Sequence, residues 1–90
     1  MIENNSILKG NTMVEILFLL LNKNDKNKTQ ISKLIKRTQA TINREVKTLT
    51  DLGLLEAKRK KKNRKEFIIN LTKKGLIVTL KLREINEIIK

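Results

Sequence analysis

Residues 29–55 read TQISKLIKRTQATINREVKTLTDLGLL, and this stretch decides the fold. Ile31, Leu34 and Ile35 recur at i, i+3, i+4 behind Thr29, whose hydroxyl can accept from the free N–H groups of the next turn. A short helix is therefore expected over 29–37. Thr38 offers a second cap. Beyond it Ile42, Val46 and Leu49 fall at i, i+4, i+7, one stripe of a second helix over 39–52, and Gly53 suits the left-handed position that ends a helix. Two short helices joined by a tight turn make a helix-turn-helix pattern.

With Ile42, Val46 and Leu49 facing inward, an advance of about 100° per residue turns Ala40, Thr41, Arg44 and Lys47 outward. Gln39 lies at the leading end, and Asn43 and Thr48 at the flanks. Small, hydrogen-bonding and cationic side chains are what a helix needs to enter a major groove and read base edges, so these residues are the candidate base readers. An ordinary solvated helix face has a similar make-up. The flanking segments decide between the two.

After Gly53, Leu55 and Ala57 alternate with Glu56 and Lys58, and Phe67, Ile69 and Leu71 alternate with Ile68 and Asn70. This period of two predicts a β-hairpin over 54–70 with its tip near 61–64, where Asn63 tolerates a left-handed turn. Lys58, Arg59, Lys60, Lys61, Lys62, Arg64 and Lys65 make the tip and shoulders basic, interrupted only by Asn63. Like charges so closely spaced repel one another unless a polyanion meets them. Together with Lys28 and Thr29 at the head of the first short helix, residues 58–65 are the candidate phosphate contacts. The alternatives are a solvated loop or a localisation patch; a lipid surface is disfavoured because no exposed apolar residues interleave the run.

The charge distribution points the same way. Of the net charge of +12, residues 1–27 carry 0, 28–49 carry +5, 50–57 carry −2, 58–65 carry +7 and 66–90 carry +2. The excess sits on the helix-turn-helix and the hairpin, which argues for a directed polyanion-binding face. Composition also excludes chemistry. There is no Cys and no His, and the nine carboxylates are scattered, so no metal, cofactor or catalytic constellation is expected and an enzyme is disfavoured. No segment approaches the roughly 20 apolar residues that span a bilayer. Met13 to Leu21 is apolar except for Glu15, but no basic stretch leads it and a polar NKNDKNK follows, so the protein is expected in the cytoplasm.

The chain has 90 residues, enough for one small α+β domain. Residues 1–11 read as a lead-in carrying Ile2, Ile7 and Leu8. Thr12 with Glu15 makes a capping box for a helix over 12–21, apolar almost all round and so expected to be covered on two sides. Thr72 caps a last helix over 73–89, in which Val78, Leu82, Ile85 and Ile89 form a seam spaced 4, 3, 4. With Leu17 and Leu20 of the first helix, this seam is the candidate homodimer interface; the alternative is that all of them pack within one chain.

Helix, helix-turn-helix, basic hairpin, helix is an order that resembles the small MarR-like and PadR-like winged-helix regulators, especially the short archaeal, plasmid and viral ones, over roughly residues 7–76. ILKG at Ile7 to Gly10 looks like the PadR-like opening. Thr41, Ile42, Asn43 and Arg44 sit where the family's recognition helix usually reads T-V-x-R, followed by Leu49 and the Gly53, Leu54, Leu55 exit to the wing. LTKKG at Leu71 to Gly75 looks like the family's L-T-x-x-G entry to the last helix. The resemblance implies a winged helix-turn-helix that binds double-stranded DNA as a homodimer, in the manner of a transcriptional repressor. The family's wing often carries Asp-x-Arg, for which only Arg64 stands here, and the more basic tip favours phosphate clamping. Larger relatives bind aromatic effectors between domains; this chain lacks the extra helices and polar-aromatic pocket residues, so no small-molecule effector is expected. The runner-up is an architectural or partition-type protein that coats DNA with little sequence preference, and a third possibility is a winged-helix protein-interaction module, which should show no salt-dependent DNA binding.

Overall fold

The computed structural model describes residues 10–60 and 63–89. Along the chain lie α1 (Thr12–Asn22), α2 (Lys28–Ile35), α3 (Gln39–Asp51), β1 (Leu55–Lys60), β2 (Asn63–Leu71) and α4 (Lys73–Ile89). The lead-in residues 1–9, including Ile2, Ile7 and Leu8, lie outside the described residues.

Helix α1 is the centre of the molecule. Val14 and Ile16 to Leu20 are buried, because α4 packs on one side of this helix and α2, α3 and β2 on the others. An all-round apolar helix thus finds its second cover within its own chain. Leu17 and Leu20, expected to face a partner, are 2% and 0% exposed and belong to the internal core. The cap also differs from the expected box. Asn11 Oδ1 accepts from the Val14 N–H, while the Glu15 carboxylate reaches Arg37 at 2.9 Å and ties α1 to the α2–α3 turn.

The organising segment folds as two helices with corrected ends. Asn27, not Thr29, caps α2. Its side chain accepts from the Gln30 N–H at 2.8 Å and the Gln30 side chain accepts from the Asn27 N–H at 2.9 Å, a reciprocal box that starts the helix one residue early. The helix stops at Ile35 because Lys36 takes the left-handed conformation, φ 56°. Ile31 is fully buried, but Leu34 stays exposed. In α3 the Thr38 hydroxyl accepts from the Thr41 N–H, and Ile42, Val46 and Leu49 are buried against α1 and α2. Gly53 follows with φ 78°, the conformation that costs glycine least.

Strands β1 and β2 pair antiparallel in the register Leu55↔Leu71, Ala57↔Ile69 and Arg59↔Phe67, with a shift before Lys60↔Asn63. Asn63 is therefore a paired residue of β2 and not the turn; residues 61–62, which join the strands, lie outside the described residues. The loop before α2 is more than a connector. Ile69 N–H donates to the Lys26 carbonyl at 2.8 Å, a single β-bridge beside β2, and Asp25 N–H donates to Asn70 Oδ1.

Thr72 heads α4 by accepting from the Gly75 N–H while its own hydroxyl donates to the Gly53 carbonyl at 2.6 Å. The face that α4 buries is Gly75, Thr79 and Asn86. A Cβ at Gly75 would stand 1.9 Å from the Leu54 carbonyl oxygen, so the helix backbone lies directly on the exit from α3, and the Thr79 hydroxyl is satisfied by the Gly75 carbonyl. The seam expected at Val78, Leu82, Ile85 and Ile89 is rotated away from this contact. Val78 and Leu82 pack on the edge of the core, Ile89 is half-buried and Ile85 is exposed, while Ile77 and Ile88 are exposed outside the seam.

Candidate nucleic-acid interface

Burying Ile42, Val46 and Leu49 leaves the opposite side of α3 standing out from the body. Gln39, Ala40, Asn43, Arg44, Lys47 and Thr48 are exposed and Thr41 is half-buried. The polar groups are not equally available. The Thr41 Oγ1 accepts from the Thr38 hydroxyl, and the Thr48 hydroxyl donates to the Arg44 carbonyl within its own helix. Both cations of the helix are held by carboxylates: Arg44 Nε donates to Glu45 Oε1 at 3.1 Å and Lys47 Nζ to Asp51 Oδ2 at 2.9 Å.

Lys28 and Thr29 stand in the first turn of α2, Lys28 half-buried and Thr29 exposed. Lys58 and Arg59 are exposed on β1, with Lys58 Nζ 3.5 Å from Glu56 Oε1. Arg59 does not extend freely, because its guanidinium carbon lies 5.5 Å from the centroid of the Phe67 ring directly across the strand pair. Lys61 and Lys62, and the side chains of Lys60, Asn63, Arg64 and Lys65, lie outside the described residues.

These elements enclose a cleft of about 610 Å³. The start of α2 supplies Lys28 and Thr29, α3 supplies Lys47 and Asp51, and the inner face of the hairpin supplies Ala57, Phe67 and Ile69. Three of the expected contact residues, Lys28, Thr29 and Lys47, are thus brought to one place. The base-reading group at the front of α3 is kept apart from it. Sequence reasoning missed the pairing of Arg59 with Phe67 and the role of Asp51. The first had a signal in the alternation that puts both residues on one face; the second had one in the four-residue spacing from Lys47 to Asp51.

Among the described residues no group of His, Cys, Asp or Glu is arranged to hold a metal ion, and no helix is long and apolar enough to cross a membrane.

Residues 10–75 match the winged helix DNA-binding domain family. No curated protein matches the chain in sequence. Among solved structures the fold is similar to a ZitR variant of Lactococcus lactis, with a TM-score of 0.82 and 20% identity over 96% of this chain and 58% of that one. It is also similar to MepR of S. aureus in a complex with DNA, with a TM-score of 0.79 and 19% identity over 86% of this chain and 64% of that one. MarR of E. coli superposes with a TM-score of 0.79 at 12% identity, over 82% of this chain and 55% of that one. At these identities the likeness is one of fold, and the chain spans less than two thirds of the length of each.

Proposed function

Because the chain belongs to the winged helix DNA-binding domain family, we propose that it binds double-stranded DNA sequence-specifically as a homodimer and acts as a transcriptional repressor in the cytoplasm. The observation that carries this reading is the outward face of α3, polar and exposed while its opposite face is anchored in the core, with Lys28 and Thr29 of α2 and the inner face of the hairpin meeting α3 around one cleft. In this arrangement α3 enters the major groove and Gln39, Ala40, Thr41, Asn43, Arg44, Lys47 and Thr48 are its base-facing set. Lys28, Thr29 and the basic run from Lys58 to Lys65 hold the backbone phosphates. The function is binding, not catalysis.

Roles divide by chemistry. The fork of Arg44 can hold guanine O6 and N7 together, so Arg44→Ala should cost about 1–3 kcal/mol at the preferred duplex and relax the preference there. Replacing Lys60, Lys61 and Lys62 with Gln should weaken binding to every duplex by a similar factor, and should flatten the slope of log K against log salt by about 0.9 for each phosphate no longer neutralised. Titrating both variants on preferred and scrambled duplexes at several salt concentrations tests the division. Loss of sequence preference in the lysine variant, with an unchanged slope, would reassign base reading to the wing.

The second reading, an architectural protein with little sequence preference, is favoured by one observation: the charge of +7 on residues 58–65 exceeds that on any other segment of similar length. A specific to non-specific affinity ratio near one at fixed salt would decide for it.

A further inference from the structure

The recognition helix is electrically neutral in a protein of net charge +12. Arg44 and Lys47 are matched within α3 by Glu45 and Asp51, and each cation is hydrogen-bonded to one of these carboxylates. The positions of the acids sharpen the point. Asp51 lies seven residues after Arg44 and four after Lys47, on the same outward row, with its side chain 65% exposed. Glu45 lies at the flank, 17% exposed, with its carboxylate reaching out to Arg44. The basic charge needed to hold phosphate is carried elsewhere, on α2, the turn after it and the hairpin.

We propose that Glu45 and Asp51 are specificity-determining residues: they tie up the cations of α3 so that the helix engages DNA only where base edges offer acceptors that replace the carboxylates. This inference rests on the DNA-binding reading of the preceding subsection. On a random duplex, phosphates must compete for these cations with carboxylates 3.1 Å from Arg44 Nε and 2.9 Å from Lys47 Nζ, and the Asp51 charge meets the phosphates with repulsion. On a preferred duplex, guanine O6 and N7 accept from Arg44, and a freed carboxylate can accept from a cytosine N4 amino group. The acids thus oppose unspecific contact more than specific contact.

The test compares Glu45→Gln, Asp51→Asn and the double variant on two probes, a duplex selected by the parent protein from a random pool and a scrambled duplex of the same composition. Affinity for the scrambled duplex should rise about 3- to 10-fold in the double variant, and its salt slope should steepen by up to about 0.9 for each additional phosphate neutralised. Affinity for the selected duplex should change less than about twofold, so the specificity ratio falls. Glu84→Gln removes an exposed carboxylate on α4, paired there with Lys81, and should leave the ratio unchanged. Equal increases on both duplexes, or an unchanged ratio in the double variant, overturn the proposal while leaving DNA binding intact. A parent that binds no duplex, or binds both alike, overturns this proposal together with the sequence-specific reading on which it rests.

Discussion

Lys36 closes α2 in a conformation that costs an L-residue about 1–2 kcal/mol and that glycine enters freely. Lys36→Gly should therefore stabilise the fold by about 0.5–1 kcal/mol in urea denaturation, the larger freedom of glycine in the unfolded chain offsetting part of the benefit. At the other end of the same helix, Asn27→Ala should cost about 1 kcal/mol, and Thr29→Ala only a few tenths, because Asn27 alone makes the reciprocal bonds with Gln30. A larger loss in Thr29→Ala than in Asn27→Ala would overturn this assignment of the cap. Sequence alone points to Thr29 here and to Thr12 before α1, whereas Asn27 and Asn11 cap the two helices. What separates them is the three-residue spacing to a side chain that can answer, Gln30 in one case, and in the other the fact that Glu15 is drawn away to Arg37. That pull comes from 22 residues along the chain, and no local pattern contains it.

At the scale of elements, α3 and the strand pair were legible because their signals are local and unambiguous. One stripe of Ile42, Val46 and Leu49 leaves a single way to turn the helix, and the alternation from Leu55, matched by Phe67, Ile69 and Leu71 across the pair, sets the inner face of the hairpin. Helix α4 carries no such signal. Leu76, Ile77, Val78, Leu80, Leu82, Ile85, Ile88 and Ile89 surround it almost completely, so apolar spacing cannot say which side packs. Backbone approach decides instead: the side that fits is the one where Gly75 admits the Leu54 carbonyl. Gly75→Ala should accordingly cost at least about 2–3 kcal/mol, read as a large drop in melting temperature, since a methyl group and a carbonyl oxygen cannot share that space. A loss of less than about 1 kcal/mol would mean that α4 shifts readily on its neighbours. The candidate site was legible in the same uneven way. The outward row of α3 followed from its inward stripe, whereas the cleft among Lys28, Lys47 and Phe67 depends on how three elements meet.

For the molecule as a whole, most of the exposed large apolar side chains among the described residues lie on α4, where Ile77, Ile85 and Ile88 are 52%, 41% and 79% exposed. If this surface pairs two chains, replacing Ile85 and Ile88 together with Glu should yield a monomer with unchanged helical content, because neither side chain is packed into the core. Sedimentation should show the halved mass alongside a preserved circular dichroism spectrum; a parent that is already monomeric at high micromolar concentration refutes the dimer. A two-fold pair should also protect two half-sites about 10 bp apart in a footprint, and protection of one isolated half-site would contradict it. The contact between Gly75 and Leu54 then acquires a consequence at long range. It joins the helix that would meet the second chain to the exit of the helix that would meet the groove, with no flexible side chain in between. Such a joint transmits angle as a set-square does. A change in the spacing of operator half-sites would have to be met by re-seating one whole subunit against the other, with each reading head keeping its pitch.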